Sequence, residues 1–146
     1  MSDSRPGVPG GWLPRLTLGF ALFLLLLIVI ANTGWFRSEL LRFVSAVPGG
    51  DKSLHFVLVG TMALLLNLSW GAACWRLGPL PIQQGSVTVA LLCTLEELSQ
   101  LFVRARAFDT EDLLSDYFGI ILLGQLGVWL HALLTRRVEP ESGRGA

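Results

Sequence analysis

Charge is scarce in this 146-residue chain. Charged side chains make up 15% of it, against about 25% in an average soluble domain. Eleven basic and eleven acidic residues cancel, and the want of a basic excess excludes a nucleic-acid-binding surface. Cysteine is scarce too. Cys74 and Cys93 make neither a disulfide framework nor a thiolate metal cluster, and as small apolar residues within two different predicted spans they need no further role. What is abundant is apolar: 52% of residues, with a mean hydropathy of +0.59. That excludes a disordered chain, and the length allows one domain over 1–146.

A helix crossing a bilayer needs about 20 mostly apolar residues, because it rises about 1.5 Å per residue through a core about 30 Å thick. No charge interrupts the chain between Arg15 and Arg37, whose middle reads GFALFLLLLIVIA. Between Lys52 and Arg76 the ionisable side chain of note is His55, and YFGIILLGQLGVWLHALLT follows Asp116. A weaker run, Ile82 to Val103, contains Glu96 and Glu97; keeping it out of the membrane would leave a long apolar hairpin in water. The sequence therefore predicts an all-α polytopic membrane protein with four transmembrane helices in an antiparallel bundle, over about 16–36, 54–75, 82–103 and 112–134. The alternative is three spans and a re-entrant segment. Trp12, Trp35, Trp75 and Trp129 fall near predicted span ends, where an indole keeps its ring in lipid and its N–H wet. The first run exceeds the core of about 7–15 residues typical of a signal peptide, and it reads as a retained helix.

The Pro/Gly-rich stretch 1–11 and the tail 138–146 are predicted to be disordered. Loop one, SELLRFVSAVPGG, puts Leu40, Leu41, Val44 and Val47 on one face. That predicts a short interfacial helix, capped by Ser38 and ended by Pro48-Gly49-Gly50. Loops two and three, RLGPLPIQQGS and RARAFDTE, read as short turns. Basic residues divide six to five between the two sides. With those assigned below to a site set aside, both termini fall on the cytoplasmic side.

Antiparallel threading brings the start of the second span, the end of the third and the start of the fourth to one membrane face. Nearly all the membrane-associated charge lies at these three ends. Asp51 and His55 are spaced i,i+4; Glu97, Gln100 and Arg104 are spaced i, i+3, i+7, as are Asp109, Asp112 and Asp116. Each set shares a helix face, so three polar stripes can meet in one pocket. Glu97 lies about 9 Å inside its predicted helix end, where an unpaired charge costs about 2.5–3.5 kcal/mol. It is therefore expected to face the start of the fourth span within reach of Arg104, Arg106 or His55. Lys52, Arg104 and Arg106 could hold phosphate or another anion. Glu97, His55 and Asp112 are candidate acids or bases, and Asp51, Gln100, Asp109 and Asp116 complete the binding set.

Plainer roles exist for single residues. Asp51 and Asp109 suit helix N-caps, Lys52 and Arg104 can snorkel to headgroups, Glu96 can pair with Gln100, and His55 can be packed at the interface. Glu97 and Asp116 resist such accounts, being inside their spans. For the whole set the alternative is a structural network gluing three helices. His131 is isolated on the opposite side. Gly119, Gly124, Gln125 and Gly127 look like close-packing positions. One histidine among carboxylates suits a hard cation better than zinc, yet no metal-ligand spacing is recognisable, so neither metal nor cofactor is predicted.

The motif Asp51-Lys52-x-x-His55-Phe56 opens one span. Glu97-x-x-Gln100-x-Phe102 closes another and is followed by Arg106-x-Phe108-Asp109-x-x-Asp112-x-x-x-Asp116-x-x-Gly119. In these motifs the sequence resembles the VanZ-like family of bacterial membrane proteins, over roughly Asp51 to Leu134. It departs from the family at Asp116, where an asparagine is usual, and at Glu96, where a hydrophobic residue is usual. The resemblance implies a small helical fold in the bacterial inner membrane. It links the chain to glycopeptide resistance, from which the family takes its name, and implies no particular reaction.

The function the sequence favours is an envelope protein whose site at the outer boundary binds or modifies a lipid or lipid-linked glycan headgroup. Its further partners would be a second copy or another envelope protein. The alternatives are proton- or ion-coupled transport of a small molecule through the buried carboxylates, although no broken helix marks the midplane, and a scaffold for envelope assembly. No nucleophile motif singles out a reaction, so whether the chain is an enzyme stays open.

Overall fold

A computed structural model of the chain describes residues 11–33, 36–102 and 109–136. The predicted disordered ends (all but Gly11), Trp35, Arg104 and Arg106 lie outside them. The described residues form helices α1 (Trp12–Thr33), α2 (Arg37–Ala46), α3 (Gly50–Ser69), α4 (Gln84–Ser99) and α5 (Thr110–Arg136), with strands β1 (Cys74–Leu77) and β2 (Leu80–Gln83) between α3 and α4. A 3-10 turn, Gln100–Phe102, continues α4.

Among the described residues three helices, α1, α3 and α5, are long and apolar enough to cross a membrane. The count of four is corrected: the predicted third span forms α4, which has only 16 residues. Its helix starts late, because the residues before it pair as a β-hairpin, and its end tightens into the 3-10 turn. The hairpin also corrects the all-α assignment. The second predicted span stops at Ser69, not at residue 75. Gly71 (φ +64°) turns the chain there, and Ala72 N–H donates to Asn67 O at 2.7 Å while Gly71 N–H donates to Leu68 O at 3.2 Å. These two bonds satisfy the last carbonyls of α3 in a Schellman motif. Cys74 and Trp75 consequently sit on an exposed strand, outside any span. The strands pair antiparallel with Leu77 opposite Leu80. The two-residue turn puts Gly78 at φ +64°, as a primed hairpin turn requires.

The short helix expected in loop one is present as α2, but Ser38 does not cap it. Phe36 occupies the cap, and Ser38 Oγ donates to Glu39 Oε2 at 2.8 Å. Likewise Gly49, not Asp51, precedes α3 as its cap.

Packing centres on α3 and α5, which touch through glycines. A Cβ on Gly60 would lie 2.8 Å from the Gly119 carbonyl oxygen, and one on Gly127 would lie 2.7 Å from that of Leu64. One on Gly119 would strike the Phe56 carbonyl. Phe56 meets Gly119 and Leu64 meets Gly127, so the two helices run parallel. α4 runs against both, bonded through Thr94 Oγ1 and Tyr117 Oη at 2.7 Å. α1 runs against α3, bonded through Thr17 Oγ1 and Ser69 Oγ at 2.6 Å. Between them Ala63, Leu66, Val89 and Ile120 form one apolar core, and Leu13, Leu65 and Leu68 a second. The outward faces carry exposed Leu18, Leu22, Leu25 and Val29 on α1, Leu91, Leu92 and Leu95 on α4, and Phe118, Ile121 and Leu122 on α5.

Candidate functional site

The parallel seam fixes where the polar ends of α3 and α5 fall. Just before the Phe56–Gly119 contact stand His55, one residue earlier on α3, and Asp116, three residues earlier on α5; about one turn further out stand Lys52 and Asp112. His55 Nδ1 lies 3.1 Å from Asp116 Oδ1. Its Nε2 faces Asp112 Oδ2 at 3.8 Å and Asp51 Oδ1 at 3.9 Å. Lys52 Nζ reaches Glu111 at 3.1 Å, Asp112 at 3.4 Å and Asp109 at 3.5 Å. Asp112 and Asp116 are 5% and 3% exposed. These buried carboxylates are tolerable because cationic or imidazole groups face them.

α4 delivers the third stripe. Glu97 is 1% exposed. Its Oε1 accepts the Asp109 N–H at 2.7 Å, and its Oε2 accepts the Gln100 amide at 2.9 Å. The Gln100 amide also reaches Glu96 Oε2 at 3.0 Å. Glu97 thus faces the start of α5 as expected. Among the described residues, however, no ion pair joins it to His55; its bonds are to a backbone N–H and a carboxamide. Arg104 and Arg106, the other expected partners, lie outside the described residues.

Asp109 caps α5, with its Oδ1 accepting the Glu111 N–H at 2.8 Å. That bond, helped by nearby Lys52, holds its carboxyl below the usual aspartate range. Asp51, Lys52, His55, Asp109, Asp112 and Asp116 therefore meet between α3 and α5, with Glu97 and Gln100 bridging to them through the Asp109 backbone. Lys52 is engaged by three acids, so it does not stand open to an anion on its own. Sequence reasoning missed Glu111, whose place one residue before Asp112 at an acidic helix start was the available signal.

A second polar group, uncharged, lies at the opposite end of the bundle. Asn67, fully buried, donates to Gln83 Oε1 at 3.0 Å, Ser86 Oγ at 2.9 Å and Gly124 O at 3.2 Å. Gln83 Nε2 donates to Gln125 Oε1 at 2.6 Å. Gln125 is thus an exposed hydrogen-bonding residue and not a close-packing one, while Gly124 is packed against Ser86. The sequence reading passed over this network, although an asparagine inside an apolar run was its visible sign.

Chemically, the first cluster offers an imidazole ring tethered at one nitrogen, with the other directed toward two carboxylates, and a ring of acids around one lysine. It can orient hydrogen-bond donors, exchange protons or hold a cation. Comparison of the chain with protein-family models, curated proteins and solved structures finds no match in any of the three.

Proposed function

We propose that this chain is a multi-pass protein of the bacterial inner membrane, VanZ-like by its motifs, whose polar cluster at the outer boundary binds a lipid or lipid-linked glycan headgroup. The observation that carries this reading is the convergence of Lys52, His55, Glu97, Asp112 and Asp116 from three helices at one end of the bundle. Three of the five are carboxylates no more than 5% exposed. Asp51 and Glu111 leave an exposed acidic rim, which complements the hydroxyl and ammonium donors of headgroups. An intramembrane ionisable cluster is a functional site by default.

α4 packs beside α3 and α5, two of the three candidate spans. With its 3-10 turn it reaches about 30 Å, at about 1.5 Å per α-helical and 2.0 Å per 3-10 residue. It lies antiparallel to α3 and α5 and turns Leu91, Leu92, Leu95 and Leu98 outward. A polypeptide with that face needs lipid around it.

The headgroup reading is tested by native mass spectrometry of the full chain in detergent. One lipid class should be retained, and Asp112→Asn and His55→Ala should release it while the protein stays folded. Retention of the same lipid by both variants would overturn the reading. Orientation is tested separately. Ala107→Cys should react with a membrane-impermeant maleimide in cells whose outer barrier is permeable, and Gln84→Cys should not; the reverse pattern would put the site on the cytoplasmic face.

A further inference from the structure

At the end of the bundle away from the charged cluster, α1 begins, α3 stops, α4 begins and α5 finishes. Four tryptophans gather there from four different elements: Trp12 on α1, Trp70 at the cap of α3, Trp75 on β1 and Trp129 two turns before the end of α5. Each is 45–60% exposed. A collar of exposed indoles marks the boundary between acyl chains and headgroups.

The β1–β2 hairpin lies in this collar, and its register sorts it into two faces. Trp75 pairs with Ile82 and Leu77 with Leu80, while Cys74 pairs with Gln83 and Arg76 with Pro81. Side chains alternate along a strand, so Trp75, Leu77, Leu80 and Ile82 share one face. The other face is turned to the bundle at its Gln83 end. Gln83 bonds Asn67 and Gln125, and with Pro81 it lines a cleft against Ile120 and Ile121 of α5. The apolar face therefore points away from the protein, with Leu77 64% and Leu80 67% exposed. Bare in water it would be an aggregation hazard.

Charge says what covers it. Arg15, Arg76 and Arg136 are exposed at this end, and its described residues include no carboxylate. None of the three arginines has an ion-pair partner among the described residues. We infer that this end of the bundle is a binding surface for anionic phospholipid: the hairpin lays Trp75, Leu77 and Leu80 into the headgroup–acyl boundary, and Arg76 meets the phosphates beside it. The long arginine stem lets the guanidinium reach that layer from the opposite face of the strand, and each arginine near an anionic surface adds to the attraction. A second copy docked here face to face would set arginine against arginine. The inference rests on the chain lying in a membrane and not on the headgroup site, which is at the other end.

The test uses the full chain with Cys74→Ser and Cys93→Ala, carrying a bimane fluorophore on Leu80→Cys. It is reconstituted in phosphatidylcholine vesicles holding about 30 mol% of a chain-brominated lipid, either phosphatidylglycerol or phosphatidylcholine. Bromine quenches a fluorophore that touches the acyl region. Both lipids should quench the label, brominated phosphatidylglycerol by about 2-fold more. Adding Arg76→Gln should make the two equal, and Arg42→Gln, on α2 at the opposite end, should leave the excess in place. Tryptophan emission of the unaltered chain should show the same preference, because four of its five tryptophans lie at this end. A second bimane position, Leu122→Cys on the exposed face of α5, reports the membrane separately. An unquenched Leu80 label with a quenched Leu122 label overturns the inference alone, whether water or a second copy covers the hairpin. Equal quenching by the two lipids without Arg76→Gln overturns it as well. Both labels unquenched would overturn the membrane reading with it.

Discussion

Both carboxylate oxygens of Glu97 are occupied, one by the Asp109 N–H and one by the Gln100 amide. Glu97→Gln keeps the shape but replaces one acceptor with a donor, leaving a buried N–H facing another. It should cost about 1–3 kcal/mol, read as a lower unfolding midpoint in detergent. The sequence placed Glu97 correctly in direction, toward the start of α5, since antiparallel threading is arithmetic, but set it deeper in its helix than it lies, because α4 ends at Ser99. It did not show that a backbone N–H would answer the carboxylate, because nothing in residue type marks which amide of a loop comes to rest there. Asp109 offers a second measurement at this scale. Its folded pKa lies below the unfolded one, so its cap contribution is present above the ordinary aspartate range and is lost as pH falls through the lowered folded value. Hydrogen-exchange protection of the Glu111 amide should therefore survive mild acidification and fade only below that range; Asp109→Ala should remove it at neutral pH.

The helices differ in what holds them. α3 and α5 meet backbone to backbone at Gly60, Gly119 and Gly127, the close approach small residues permit in membranes. Gly119→Val has no free space against the Phe56 carbonyl and should cost about 1–3 kcal/mol or more through overpacking. The measurable result is reduced yield of folded protein and lost protection in α5. α1 is attached more lightly, by Leu13 packing and the Thr17–Ser69 hydrogen bond. Thr17→Val should cost only about 0.6 kcal/mol, the average found for interhelical bonds in membranes, and should loosen α1 while α3 and α5 stay paired. Of the seam glycines, Gly119 and Gly127 were legible as close-packing positions, while Gly60 was not singled out. The hairpin was not: CWRL and LPIQ lack clean alternation, and apolar content alone extends a helix through them until Gly71 and Gly78 are given their positive φ.

Across the whole molecule, polarity is sorted by kind. The charged groups gather where α3 and α5 begin, and the uncharged carboxamides gather where α3 ends and α4 begins. Composition and threading made the charged end visible, because charge is rare in such a chain. The amide end was obscured because Asn and Gln do not interrupt an apolar run strongly. One consequence of the α3–α5 seam reaches beyond packing. Asp112, Asp116, Gly119, Leu123 and Gly127 follow one another at intervals of four, three, four and four residues, so the acidic groups and the glycines lie along a single helical stripe. The site and the seam are in phase, and α5 cannot rotate one without the other. A single alanine inserted after Phe118 would turn everything upstream by about 100° relative to the glycines, swinging Asp112 and Asp116 out toward lipid while the seam stays shut. Such an insertion should leave the α3–α5 pair folded yet strip the His55 ring of its Asp116 tether. Deleting one residue between Asp116 and Phe118 in the same chain should bring it back.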